Sequence, residues 1–147
     1  MASAKHWMAF LCRVGVLIAA LIVTSCSLPN LESAQCAAAR NTVKRFYSLH
    51  FANELTPAEE YLTEREKFLS DRLAEYLSSS EIAEDYFTQT EDFPKAFRVG
   101  GCVAESNDNA TLQVVLLWRD DIRNDQTEVI VHTVRTDDRW LIDKVGN

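Results

Sequence analysis

The sequence has no CxxC pair and no grouping of cysteine with histidine, which removes the ligand spacings of structural zinc and dithiol redox sites. It also lacks a G-x-S-x-G elbow, a phosphate-cradling glycine loop and a dinucleotide fingerprint. No familiar frame for acyl, phosphoryl or hydride transfer is therefore present. Basic side chains are in the minority, 15 Lys and Arg against 22 Asp and Glu, for a net charge of −7. That balance disfavours nucleic acid, whose phosphates call for a basic face, and adhesion to anionic lipid by charge alone. Residues 120–125, Asp-Asp-Ile-Arg-Asn-Asp, lack the glycine and closing glutamate of a calcium loop and read as a solvated hairpin loop. No cofactor and no metal are expected.

A long hydrophobic run is missing as well. Residues 14–23 are apolar but only ten in number, where a helix crossing a bilayer needs roughly 20. Extending the run back through Leu11, Phe10, Met8 and Trp7 would bury Arg13 in the span. Lys5 and Arg13 supply positive charge, and no acidic residue occurs before Glu32. A basic start followed by a short apolar stretch is the layout of a secretory signal. Val23-Thr24-Ser25-Cys26 then resembles the bacterial lipobox, an aliphatic residue and two small ones before a cysteine. The resemblance implies a signal peptide over 1–25 and lipid attachment at Cys26. The competing readings are an uncleaved anchor with Cys26 as a bystander, and plain secretion.

Removing residues 1–25 takes Lys5 and Arg13 away with no acid, and leaves 122 residues with a net charge of −9. That length suffices for one domain with a proper core. Of the four cysteines, Cys12 departs with the signal and Cys26 carries lipid, so Cys36 and Cys102 remain. In an oxidising compartment such a pair joins, closing a loop of about 65 residues. The alternative is two buried free thiols.

Residues 26–36 are expected to form a tether, its polar part SLPNLES, ahead of a single domain over 37–147. Cys36, Ala39, Val43, Phe46, Tyr47 and His50 recur at three and four, which predicts a helix over 34–52. Thr56-Pro57-Ala58-Glu59 combines capping-box spacing with proline at the first helical position. Leu62, Phe68, Leu69, Leu73, Tyr76 and Leu77 extend that second helix to about Ser78, and Ser79 or Ser80 caps a third over 81–87. Beyond Pro94 the period changes to two. Strands are expected over 97–104, with a bulge at Gly100-Gly101 turning Cys102 toward the first helix, then 111–118, 127–135 and 140–145. A loop over 120–126 and a tight turn at Thr136-Asp137-Asp138-Arg139 separate the last three. Helices first and antiparallel strands after them indicate an α+β domain, about three helices packed on a curved four-stranded sheet.

That order closes on Trp140-Leu141-Ile142-Asp143-Lys144-Val145. With Val43-Lys44-Arg45-Phe46-Tyr47 on the first helix and Asp85-Tyr86-Phe87 through Asp92-Phe93-Pro94, it resembles the nuclear-transport-factor-2-like (cystatin-like) superfamily. More narrowly it looks like a family of bacterial lipoprotein domains of unknown function (number 3828). The resemblance covers roughly residues 37–145. It implies a cone-shaped fold whose ligand sits between sheet and helices, and it supplies no catalytic residues. Polar residues able to reach that space are Tyr47, His50 and Asp85, with His132 and Asp143 as outer candidates. Asp85 with His50 has the composition of an acid–base dyad, while a partly buried structural histidine explains His50 equally well.

The expected function is therefore a non-catalytic binding domain on a cell-envelope lipoprotein facing the periplasm or exterior. An envelope protein is its expected partner, and the lipid anchor its membrane contact. Two alternatives stand beside it: a small enzyme of isomerase or hydrolase type, and an inhibitor or immunity-type protein of the envelope. An exposed sheet face would also allow a homodimer.

Overall fold

The structure, a computed structural model, describes residues 32–53, 59–80, 85–119 and 124–146. The apolar run 14–23, Cys26, the Thr56-Pro57 helix start, residues 81–84 and the acidic stretch 120–123 lie outside the described residues. Contacts divide the chain into two units, 1–31 and 32–147, and every described residue belongs to the second.

Helix α1, Ala34–Ala52, starts where Ser33 accepts the Cys36 N–H at 3.1 Å, supplying a partner to one of the helix's unpaired amides. Its buried residues are Cys36, Ala39, Val43, Phe46, Tyr47 and His50, the stripe its spacing predicts. Residues 34–36, expected in the tether, thus belong to the domain. At the far end Asn53 returns its N–H to the His50 carbonyl and its side-chain amide to Leu49.

The helix expected over 56–78 is two helices, α2 at Glu59–Glu66 and α3 at Asp71–Ser79. Sheet pairing breaks it. Ser70 N–H donates to the Ile142 carbonyl at 2.8 Å, and Ile142 N–H to the Phe68 carbonyl at 2.7 Å, so Leu69 lies beside the last strand as a short parallel rung. The rung shields an otherwise bare sheet edge. Ser70 then caps α3 through the Leu73 N–H. Helical periodicity continues through 68–70 because the same apolar residues serve both the helices and the rung. The expected third helix is also absent from its described part. Asp85–Phe87 form a turn, because the Asp85 carboxylate captures the Phe87 N–H at 2.8 Å and competes with helical pairing.

The four strands β1 (Ala96–Ala104), β2 (Asn109–Arg119), β3 (Asn124–Thr136) and β4 (Arg139–Val145) form an open antiparallel sheet in chain order. Register slips by one between Val99 and Cys102, the bulge that Gly100-Gly101 predicts. Glycine suits the spot, since a Cβ on Gly100 would sit 3.1 Å from the Gln113 side chain. Beyond the bulge Cys102 is disulfide-bonded to Cys36 on α1. Leu112, Val114, Leu116 and Trp118 are buried on β2, as their alternation predicts. Asn124, Asp125 and Gln126, expected in a loop, extend β3 instead and pair with Arg119, Trp118 and Leu117. Asp137 and Asp138 both take positive φ, 50° and 61°, which gives a two-residue hairpin whose twist matches the strands.

The architecture is thus α+β, three helices among the described residues on one four-stranded sheet. Phe46 and Tyr47 of α1, Leu112 and Leu116 of β2 and Ile142 of β4 are fully buried. They belong to one hydrophobic core shared by α1, β2 and β4.

Candidate functional site

Tyr47, His50 and Asp85 do come together, though around packed side chains. His50 follows Tyr47 by about one helical turn on α1, and both face inward. Tyr47 O–H donates to the Phe87 carbonyl at 2.8 Å, which fixes the turn that carries Asp85. One oxygen of Asp85 accepts the Phe87 N–H, and the other lies 2.6 Å from His50 Nε2. On the opposite side of the imidazole, Nδ1 lies 2.5 Å from the Tyr61 hydroxyl. A carboxylate accepts only, so Nε2 carries the proton in neutral His50 and Nδ1 accepts from Tyr61. The result is a continuous chain, Tyr61 to His50 to Asp85, that joins α1, α2 and the 85–88 turn.

Aromatic rings enclose it. Phe46 is stacked on the imidazole at 5.8 Å, Phe87 meets it edge-on at 5.3 Å, and Phe93 is tilted against it at 5.7 Å. His50 is 8% exposed and Tyr61 5%. Arg65 lays its guanidinium 5.9 Å from both the Tyr61 and Phe87 rings, a cation–π roof over the chain.

The electrostatics follow from burial. Desolvation pushes the Tyr61 phenol up to about 12, against the pull of Arg65, and the Asp85 charge adds to the rise. Tyr47 is raised further for the same first reason. Burial also pushes the Asp85 carboxyl up, but the His50 bond and charge and the Phe87 and Thr88 amides outweigh it and hold it below its ordinary value. The arrangement is consistent throughout: an ionised carboxylate, an oriented imidazole and a firmly protonated phenol. Tyr61 is the member that the sequence does not announce. It sits in Glu-Glu-Tyr-Leu-Thr-Glu-Arg-Glu, a stretch too polar to show a buried face.

The outer candidates lie elsewhere. Asp143 accepts from Ser70 Oγ at 2.7 Å and pairs with Arg72 through its carboxylate and its carbonyl. Burial raises its carboxyl, and the Arg72 and Ser70 bonds more than reverse that. His132 Nδ1 lies 3.2 Å from Thr111 Oγ1, and Thr111 donates to Glu105 at 2.5 Å. Glu32, Cys36 and Cys102 approach one another within 4.8 Å. Both sulfurs there are spent in the disulfide, and Glu32 accepts from Arg40 at 2.8 Å.

No known family matches the chain, and no curated protein does. A crystal structure of a protein of unknown function from Bacteroides thetaiotaomicron VPI-5482 is similar in fold, with a TM-score of 0.51 at 14% identity. The similarity covers 76% of this chain and 91% of that one. At such identity it bears on the fold alone.

Proposed function

We propose that this protein is a membrane-tethered lipoprotein of the cell envelope whose single domain binds an envelope component without chemistry of its own. Its fold would be that of the nuclear-transport-factor-2-like group and, more narrowly, of the lipoprotein domains numbered 3828, with Cys26 lipidated after removal of 1–25. The Cys36–Cys102 bridge supports an oxidising, extracytoplasmic setting.

The observation that carries the non-catalytic part is the saturation of the Tyr61–His50–Asp85 chain. Each inward polar atom is bonded to another member or to the turn, and the phenol is pushed away from ionisation. A working nucleophile or base needs the opposite, a group poised near the operating pH. The chain instead serves as a joint between two helices and a turn.

The enzyme reading has one observation on its side, the short spacing of carboxylate, imidazole and phenol. A pH titration of the full protein, following the Tyr61 ring carbon by NMR, separates the two. The joint predicts no ionisation of Tyr61 until near pH 12. Titration at or below the ordinary tyrosine value of about 10 would mean an activated phenol, and the non-catalytic reading would fail.

A further inference from the structure

Two clefts flank the Arg72–Asp143 ion pair. Leu73, Tyr76, Tyr86 and Val145 line one of about 380 Å³, and Glu105, Thr111 and His132 line the other, of about 220 Å³. Arg72, Asp143 and Lys144 belong to both. Their combined size lies within the range of small-ligand sites.

We propose that this paired cleft binds a neutral oligosaccharide, an inference that rests on the envelope-binding reading and names its ligand class. Charge excludes the simpler guests. The lining holds Arg72 and Lys144 against Glu105 and Asp143, so any ion drawn by one pair is opposed by the other. An apolar guest would strip water from the ion pair with nothing to replace it. Hydroxyl groups suit both signs, since each donates and accepts.

The donors and acceptors are arranged for that use. Thr111 gives its proton to Glu105, so its oxygen accepts from His132 Nδ1–H at 3.2 Å. In the neutral ring the other nitrogen is thereby left as an acceptor. Across the saddle, Arg72 and Asp143 face each other as two planar groups, with Arg72 67% exposed despite the pairing. Neighbouring hydroxyls of a sugar match that alternation of donor and acceptor.

Tyr76 supplies the apolar half. It is 51% exposed, one of the large apolar side chains left in solvent, and its ring lies 5.8 Å from that of Tyr86. A flat half-bare ring beside an ion pair offers stacking to the C–H face of a pyranose.

The test is an NMR titration of the full protein, held in a detergent without a sugar headgroup, with chitotetraose as the neutral probe and tetragalacturonate as the acidic one. Expected are shifts at Tyr76, Tyr86, Arg72 and His132 with chitotetraose, and weaker ones with the acid. Tyr76→Ala, at a half-exposed site, should weaken chitotetraose binding about tenfold, the loss of one stacking ring. Tyr76→Phe should preserve it. The proposal is overturned by an absence of shifts at about 10 mM, weaker than useful recognition. Shifts located elsewhere, tighter binding of the acid, or undiminished binding by Tyr76→Ala overturn it too. Those outcomes concern the ligand alone; whether the protein is an envelope lipoprotein is decided separately, by its intact mass.

Discussion

Replacing His50 by alanine should cost about 3 kcal/mol of stability or more, from a lost buried ring and two orphaned polar partners. The ring is stacked on Phe46 and bordered by Phe87 and Phe93. Its removal leaves a hole that three stiff aromatics fill poorly. It also strands the Tyr61 hydroxyl and one Asp85 oxygen, both bonded to the imidazole in the folded protein. Urea unfolding of His50→Ala and wild type measures the cost directly. A loss under about 1 kcal/mol, the size of an ordinary surface change, would mean that the chain joins nothing.

The same joint sets an acid limit. Asp85 has a folded-state value below its ordinary one, so its contribution is full above the unfolded value of about 3.9. It is lost as pH falls through the folded value. Asp85→Asn should flatten the stability profile in that acid window. His50→Ala should flatten it too, since the imidazole is the first of the groups that lower the carboxyl.

Removing the disulfide is the second large effect. Cys36 and Cys102 are 66 residues apart in sequence, and a crosslink closing a loop of that length contributes about 4 kcal/mol on the chain-entropy account. A domain of this size has about 5–15 kcal/mol in total, so Cys36→Ser/Cys102→Ser should be marginal at about 37 °C. The bridge ties the first turns of α1 to the bulged edge strand β1. Arg40 adds to that seam by donating to the Val99 and Gly100 carbonyls at 3.1 and 2.5 Å. Denaturant midpoints of wild type with and without reductant, beside the double variant, test the estimate. Equal midpoints in all three would remove the bridge from the account of stability.

Much of this fold is written in local periods. The α1 stripe ending at His50 and the alternation from Leu112 to Trp118 each bury the face they display. The glycine pair places the bulge, and the two aspartates place the last turn. What local pattern conceals is pairing over distance. Phe68 and Leu69 keep helical spacing, yet hydrogen bonding to Ile142 breaks the helix there. Asp85 stands where the sequence suggests a third helix, and its carboxylate is used on the Phe87 amide and His50 instead. Asn124 to Gln126 look like loop because nothing in their polar side chains reports that β2 opposes them.

The site is half legible for the same reason. His50 and Tyr47 stand on a clear stripe, and Asp85 is the carboxylate within reach. Tyr61 escapes because one buried ring on an acidic helix makes no periodic signal.

The central claim, a lipid-anchored envelope domain closed by a disulfide, is tested most directly by the intact mass of the protein from the membrane fraction, before and after reduction. The account predicts a chain beginning at Cys26 with a diacylglyceryl group, gaining two hydrogens when the Cys36–Cys102 bridge opens. A full-length chain without lipid, or a mass that reduction leaves unchanged, would contradict it.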